Sequence, residues 1–508
     1  MAFTAPPDID ERGEWLNARY NALVDAVDAG LTGIDGTDMA APVTLDQNLQ
    51  DLCGGRNTLY NFARLFGTSG GALHRVAVRD VCGFGAIGDG ATSCATYFAA
   101  AIADLPEEGG IILVPPGVYL LDSAITLRGA GSTGHARVNV LLLGFGSSSI
   151  LRLSASGDGH NAVTMGDANQ ITYHAVCGVS FDGVVGSRVA GHTFKDTFLS
   201  VDNIPDGSFA MVSDCRFYDI YGDCVNASFA SASKVSSLVV EDCFASNFHY
   251  GVYVGSLTGC SIDSCSFSDT DIAGGVELSY SCFDTHVHGC VFSDCFKAFR
   301  VSIGSGYTVE ANSIEHCAMA RCGHENQNGG AVEFYNSSTG SGIRIKNTEV
   351  HGNCIADSLG SGIRAYDLYA YDPYYSYISD VGVSGNVIAG ATWYCVDLIR
   401  PTGFGAGLGS GHGWAVVGNA MSNPDTACVA IEGGDGAYSF LLWTHFSVVG
   451  NAITDDRADS ATMAYGVSLG QSCQSMSVVG NAIFGATTAP VLDYSRMNDV
   501  AHNTGVSE

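Results

Sequence analysis

Five charged residues stand at matching places in five consecutive segments of this chain: Glu277, Arg300, Glu333, Arg364 and Asp397. Each is the central residue of a short apolar run, as in Val276-Glu277-Leu278, Val332-Glu333-Phe334 and Val396-Asp397-Leu398. Carboxylates held in pairs can break a glycosidic bond. One protonates the departing oxygen while the other activates water, at a separation of about 6.5–9.5 Å in the inverting case. If the segments stack as neighbouring strands, Glu277 and Glu333 lie about 9.6 Å apart between backbones, two steps of the usual ~4.8 Å spacing. Glu333 and Asp397 make the equivalent pair one step along. Arg300 and Arg364 stand between the acids and are expected to lower their pKa values, which suits a base and not an acid.

The same column runs outward through Tyr253 and Asn226 on one side and Ala430, Ser468 and Leu492 on the other, so the charge is confined to its middle. A second column two residues on adds Tyr335, Tyr366 and Glu432, and the loop after it holds Tyr369, Tyr371, Tyr374, Tyr375 and Tyr377. Rings stack on sugar faces and charged groups make directed hydrogen bonds to hydroxyls, so the strip suits a glycan groove. Two other readings fit the same residues. Alternating charges on neighbouring strands stabilise a sheet by about 0.2–1 kcal/mol per pair, and tyrosine-rich loops pack well between subunits. A ladder kept only for stability has no reason to stop after five coils, whereas a groove for a few sugar units does. On the groove reading Glu333 is the central catalytic acid, with Glu277 or Asp397 as partner, and Tyr253, Arg300, Tyr335, Arg364 and Tyr366 contact substrate.

These residues need a scaffold that repeats, and from residue 211 to 503 a short pattern supplies one. An apolar strand is followed by a small or polar residue and then a corner residue. The corner is cysteine at Cys215, Cys243, Cys265 and Cys290, then asparagine at Asn312, Asn353, Asn386, Asn419, Asn451, Asn481 and Asn503. Val449-Gly450-Asn451-Ala452-Ile453 and Val479-Gly480-Asn481-Ala482-Ile483 are near copies. Corners fall roughly 22 to 41 residues apart, the period of a solenoid. The residues between them are strand formers in short runs, so each repeat is a coil of strands that buries its apolar face only by stacking. The fold expected is all-β, a right-handed parallel β-helix. From corner to the next strand the interval holds at about ten residues, from Asn353 to Ile363 or Asn386 to Val396, while the return to the next corner varies. Insertions therefore emerge on one edge, where repeat proteins carry binding. The corner column reads as structural, with amides bonding up the ladder and cysteines filling the same slot as small apolar groups.

Composition sets the bounds. The 508 residues include 65 Gly and only 11 Pro, and 46% are apolar, enough for a continuous core. No stretch of about 18 apolar residues occurs, and the first 15 residues lack the basic-then-apolar build of a secretion signal, so a cytosolic origin without membrane insertion is expected. The 18 cysteines form no Cys-x-x-Cys pair and read as buried free thiols. A net charge of −30 argues against nucleic acid as a partner. No acid cluster compact enough for a metal is evident, though Asp214, Asp242 and Asp263 occupy adjacent turns, and no cofactor is called for. Residues 1–75 differ from the rest. Leu16, Tyr20, Leu23 and Val27 repeat at helical spacing, and glycine-stopped helices are predicted over 45–53 and 58–66, giving a small helical module. Residues 76–508 are expected to form the solenoid, with Asn503 as its last corner and no separate C-terminal domain expected.

Two motifs carry a resemblance. Phe84-Gly85-Ala86-Ile87-Gly88-Asp89-Gly90-Ala91-Thr92 and, after a predicted helix over 93–105, Gly110-Ile111-Ile112-Leu113-Val114-Pro115-Pro116-Gly117-Val118-Tyr119 resemble the opening of the pectate-lyase-like β-helix superfamily, as found in phage tailspikes and capsule depolymerases. The resemblance implies a helix capping the first coil and a parallel homotrimer made in the host cytoplasm. It also implies a virion tail protein whose residues 1–75 attach to tail or baseplate proteins and whose β-helix binds and cleaves a host surface polysaccharide. A non-catalytic adhesive spike and a cell-encoded polysaccharide-degrading enzyme share the fold. A second, shorter resemblance is to polygalacturonase-type glycosidases. Tyr221-Gly222-Asp223-Cys224-Val225 and His249-Tyr250-Gly251-Val252-Tyr253 are similar to their catalytic segments, which implies Asp223 as a catalytic acid and His249 as its assistant. The second aspartate of that motif is absent here.

Overall fold

A computed structural model describes residues 77–128, 137–154, 161–166, 171–183, 197–201, 207–228, 237–270, 273–303, 306–323, 329–336, 344–367, 377–399, 410–432, 443–457, 462–470, 473–494 and 498–506. All belong to the second of the two units into which the chain divides, Ala77–Glu508. The helical module expected over 1–75 lies outside the described residues, as do Tyr369, Tyr371, Tyr374 and Tyr375 and the side chains of Tyr366, Tyr377 and Glu432.

Strand pairs with strand one coil away, in parallel, along the whole unit, which makes the fold a parallel β-helix. Three columns of strands result. In the column before the corner, Val350 opposes Val383, then Val416, Val448 and Val478. In the column after it, Ile355 opposes Ile388, then Met421, Ile453 and Ile483. These inward residues are buried and stack on their equivalents, as do the ring pairs Phe181–Phe217 and Phe267–Phe292, with centroids 5.0 and 5.3 Å apart.

The first coil is closed by helix α1, Ala95–Ala103, which turns Ala95, Phe98, Ala101 and Ile102 onto the solenoid's apolar end. Phe98 meets the ring of Tyr119 edge-on at 5.8 Å. The glycines of the opening motifs are explained by approach. A Cβ on Gly88 would lie 2.9 Å from the Cα of Gly117, and one on Gly109 would lie 1.6 Å from the carbonyl oxygen of Asn139. Asp89 folds the loop between the motifs, its carboxylate accepting from the backbone N–H of Ala91 and Thr92 and from the Thr92 hydroxyl.

The corner column is a hydrogen-bonded ladder. Asn386, Asn419 and Asn451 each send Nδ2 to a carbonyl of the preceding coil (Val350, Val383 and Val416, 2.8–2.9 Å) and to Oδ1 of the next asparagine, and that Oδ1 also accepts the backbone N–H. The residue before each corner is left-handed, as at Gly385 and Gly418 (φ 64°), a conformation glycine adopts without cost. Two expectations are corrected here. Asn312 is not a corner. It lies within the strand Thr308–Glu315, paired with Thr348, and the corner of that coil is Cys317, whose N–H donates to Oδ1 of Asn353, 36 residues on. Nor are the corner cysteines merely apolar filler. Cys243, Cys265, Cys290 and Cys317 donate to the carbonyls of Val212, Val240, Ile262 and Val287 at 3.6–3.7 Å, in the same slots that the asparagines fill later.

Replacing Asn419 by Ala would strand the N–H and Nδ2 of Asn386 and the carbonyl of Val383 in the core. At about 1–3 kcal/mol per unsatisfied group, a loss of roughly 3–5 kcal/mol is expected in denaturant unfolding. Asn419→Cys, which restores a donor and a weak acceptor, is expected to lose less than half of that.

Candidate functional site

The strand that follows the ten-residue interval carries the charged column, and its register is continuous. Asn226 opposes Tyr253, then Glu277, Arg300, Glu333, Arg364, Asp397, Ala430, Ser468 and Leu492. Two residues on, Ser302 opposes Tyr335 and Tyr335 opposes Tyr366. Period-two alternation puts these side chains on the face away from the core, but that face is covered. Glu277, Glu333, Arg364 and Asp397 are 4%, 5%, 5% and 2% exposed, so an open strip of charge does not exist at these positions.

Burial forces pairing. Arg300 reaches both neighbouring acids, with Nη1 3.5 Å from Oε2 of Glu277 and Nε 3.3 Å from Oε2 of Glu333, and its guanidinium lies over the Tyr335 ring at 4.7 Å. Asp397 receives the Ser361 hydroxyl at 3.0 Å and faces Nε of Arg364 at 3.4 Å. Lys297, a residue the alternation pattern did not single out, places its ammonium against Glu333 from the turn before the Arg300 strand. It is 7% exposed. The backbone beside it is Gly274, where a Cβ would crowd Lys297 at 3.1–3.5 Å. The only sequence cue to Lys297 is a lysine flanked by Phe296 and Ala298, a cation in an apolar setting.

The two sites that the sequence suggests separately are one. Asp223 opposes Tyr250 in the register. Its carboxylate accepts from Asn226 Nδ2 at 2.5 Å and faces His249 Nδ1 at 3.6 Å. The His249 and Tyr250 rings meet edge-on at 4.4 Å, and the Tyr250 and Tyr253 rings stand 5.3 Å apart. The Tyr250 phenol stands beside Glu277 and interacts with its carboxyl electrostatically. A polar seam thus runs from Asp223 and His249 through Tyr250 to Glu277, Arg300, Glu333 and Lys297. Its first end is the open one. The Asp223 and His249 side chains are 16% and 15% exposed, against 6% for those of Glu277 and Glu333.

Electrostatics separates the carboxyls. Burial raises the Glu277 pKa above 4.5, and Arg300 and the Tyr250 hydroxyl only partly oppose it. The expectation that arginine would draw this acid down fails because desolvation outweighs the cation. Burial lowers the Lys297 ammonium against the pull of Glu333. Burial acts to lower Arg300 as well, but Glu277 and Glu333 outweigh it and hold the guanidinium charged. Burial, then Glu277, pushes the Tyr250 phenol up, and burial takes Tyr253 to about 12 despite the Ser279 hydroxyl, so both rings keep their protons. Chemically the seam offers a carboxyl that burial biases toward its protonated form, a second carboxyl nearer the surface, an imidazole and two aromatic faces. Among the described residues no group of three or more His, Cys, Asp or Glu is placed to hold a metal ion.

Fold and seam together define a right-handed parallel β-helix with a polar site on its outer face. A family model for right-handed β-helix regions matches residues 203–374, the coils that hold the seam. Among curated proteins no sequence matches the chain. Solved structures similar to it include the A-module of mannuronan C-5 epimerase AlgE6 from Azotobacter vinelandii (17% identity, 84% of this chain and 99% of that one, TM-score 0.52). Tailspike protein 3 of bacteriophage CBA120 matches at 15% identity and TM-score 0.55 over 84% of this chain and 62% of that one, so this chain spans less than two thirds of that tailspike. The tailspike of E. coli bacteriophage HK620, solved with a hexasaccharide, matches at 16% identity and TM-score 0.52 over 85% of this chain and 80% of that one. At these identities the shared property is the fold.

Two stability outcomes follow. Lys297→Met would leave Glu333 buried with Arg300 as its remaining cation, and a loss of about 3 kcal/mol is expected in denaturant unfolding. The double change Lys297→Met with Glu333→Gln is expected to recover most of it. For Glu277, a raised folded pKa means that its contribution is full below about pH 4.5 and is lost as pH rises through the folded value. Glu277→Gln is expected to flatten that fall in a series of unfolding curves from pH 4 to 8.

Proposed function

We propose that this chain is a tailspike or tail-associated receptor-binding protein whose β-helix binds a host surface polysaccharide and cleaves it at the Asp223–Glu277 seam. In this reading residues 1–75 attach to other tail proteins and the chain assembles as a homotrimer, which gains avidity on a repetitive glycan. The observation that carries the catalytic part is the placing of a buried Glu277, biased toward its protonated form, and the more exposed Asp223 along one seam with Tyr250 and His249 between them. Two carboxyls with environments this different divide naturally into acid and base. The two tailspikes of similar fold, one of them holding a hexasaccharide, support the assignment to a glycan.

In the proposed reaction the sugar lies over Tyr250 and Tyr253. Glu277, beside the Tyr250 phenol, gives its proton to the glycosidic oxygen as the bond from the anomeric carbon breaks. Asp223, held by Asn226 and steadied by His249, takes a proton from a water whose oxygen adds to that carbon. Glu333, Arg364 and Asp397, first suggested as catalytic and substrate-contacting, are assigned here to holding Arg300 and the strand faces in place. A second reading, a spike that binds without cleaving, draws on the same burial, since neutralised and sealed acids also make a stable ladder.

The test is release of reducing ends from purified bacterial surface polysaccharides. Asp223→Asn and Glu277→Gln are each expected to lower turnover at least ~10²-fold in protein that remains folded. If Glu333→Gln abolishes cleavage and those two do not, the catalytic pair lies deeper in the column. Binding with no reducing ends and no unsaturated sugars leaves the adhesive reading. Light scattering is expected to give three chains per particle, and a concentration-independent monomer would count against a tailspike.

A further inference from the structure

One edge of the solenoid changes character along its length. In the column just before the corner, Glu241 opposes Asp263, then His288, Glu315 and His351, so the outer face of these coils is acidic or titratable. From Ser384 the same column continues as Val417, Val449 and Val479. Just past the corner, Val387 opposes Ala420, then Ala452 and Ala482. Residues 382–389, 415–422, 447–454 and 477–484, which form this edge, include no acid and no base, in a chain of which 15% is charged. Val387, Val417 and Phe484 stand 50%, 38% and 46% exposed on it.

The corners along this edge are bare as well. In other coils the left-handed residue before the corner is Asp214, Asp242, Ser264, His316 or His502, so the turn itself accepts a side chain. Gly418, Gly450 and Gly480 carry none, and a Cβ at any of them would meet nothing within 4 Å. Nothing inside the chain excludes a side chain there, whereas close approach by another backbone would. Charge and period select that neighbour. A chain of net charge −30 repels its own copies wherever acids face acids, and along this edge copies can meet without doing so. A partner recognised by charge finds no group to hold. The rows of the edge also repeat at the strand spacing of about 4.8 Å, and a second copy presents the same repeat, so its rows can seat between these coil after coil. We infer that the edge from Val387 to Phe484 is the surface through which copies of this chain pack on one another, a role that rests on the homotrimer proposed above.

The test is a triple variant of the full-length protein, Gly418→Asp with Gly450→Asp and Gly480→Asp. It adds three carboxylates at corners of the kind that hold Asp214 and Asp242, so the coils are expected to stay folded by circular dichroism. Light scattering is expected to show association weakened at least about 100-fold by the facing carboxylates, with part of it restored in about 500 mM NaCl. Gly146→Asp with Gly306→Asp, at glycines equally left-handed and open, is expected to leave three chains per particle. Labelling supplies a readout that survives misfolding of the triple variant. Ala452→Cys places a thiol at an exposed position of the edge, and in the assembled particle it is expected to react with a bulky maleimide at least about 10-fold more slowly than the exposed native Cys82. A folded triple variant that assembles like the wild type, or an Ala452→Cys thiol that labels as fast as Cys82 in the assembled particle, would overturn the inference while leaving the homotrimer standing. Wild-type protein that is a monomer at every concentration would overturn both.

Discussion

The solenoid from Cys215 to Asn503 depends on a hydrogen bond repeated at one corner of each coil. A parallel β-helix must turn its backbone sharply between sheets, and each turn aims an N–H and a carbonyl into the interior, where leaving them unsatisfied is costly. The asparagine side chain has one donor and one acceptor pointing in the directions required, and stacking lets each amide serve the coils on both sides. From Asn353 to Asn503 the bonds run without a break. The thiols from Cys215 to Cys317 each donate to the equivalent carbonyl of the coil before, with longer contacts. Cys317 is the junction, donating its N–H to the first amide of the series. Because the ladder settles where each coil sits on the next, it also settles which residues share a column on the following strand.

That column bears the cost of its own chemistry. Five ionisable groups, Glu277, Lys297, Glu333, Arg364 and Asp397, are withdrawn from water beside the partly exposed Arg300, and they persist because each acid has a cation within reach. Pairing is incomplete for one member. Glu277 sees Arg300 at the long end of ion-pair range, shares it with Glu333, and is left to favour its neutral form. The nearby phenol of Tyr250 connects this carboxyl to the more open Asp223 and His249. A structural ladder and a reactive carboxyl are therefore two ends of the same arrangement, distinguished by how far the cations extend.

Much of this was legible in the chain. Identical Val-Gly-Asn-Ala stretches disclose the coil, and counting ten residues from each corner lands on Ile363, Val396 and Val429, which do oppose one another. That count gives the register of Arg364, Asp397 and Ala430, but it fails after Cys317 and Asn451, where the strands of Glu333 and Ser468 begin later. Asn312 was misread because an asparagine after a strand looks like the others, while the true corner, Cys317, continues a cysteine series that had appeared to end at Cys290. Alternation distinguishes core face from outer face but is silent on what lies over the outer face, so burial of Glu333 and Asp397 was not foreseeable. Nor was Lys297, which sits before its strand and outside any period. Distance in sequence hid the union of Asp223 with Glu277, since it needs the ring of Tyr250 to bridge two coils.

The interval after the corner, near ten residues except in the coils of Cys317 and Asn451, set against more variable lengths on the other side, has a consequence for how such a chain can change. Because position is inherited coil by coil through the corner bonds, a segment inserted on the variable side leaves the alignment of every later column untouched. Recognition can then be rewritten in cassettes, one coil at a time, by recombination between related chains that agree only at their corners. Selection for a new ligand would act on the lengths and contents of those segments, while the buried corners would change only in small steps such as thiol for amide.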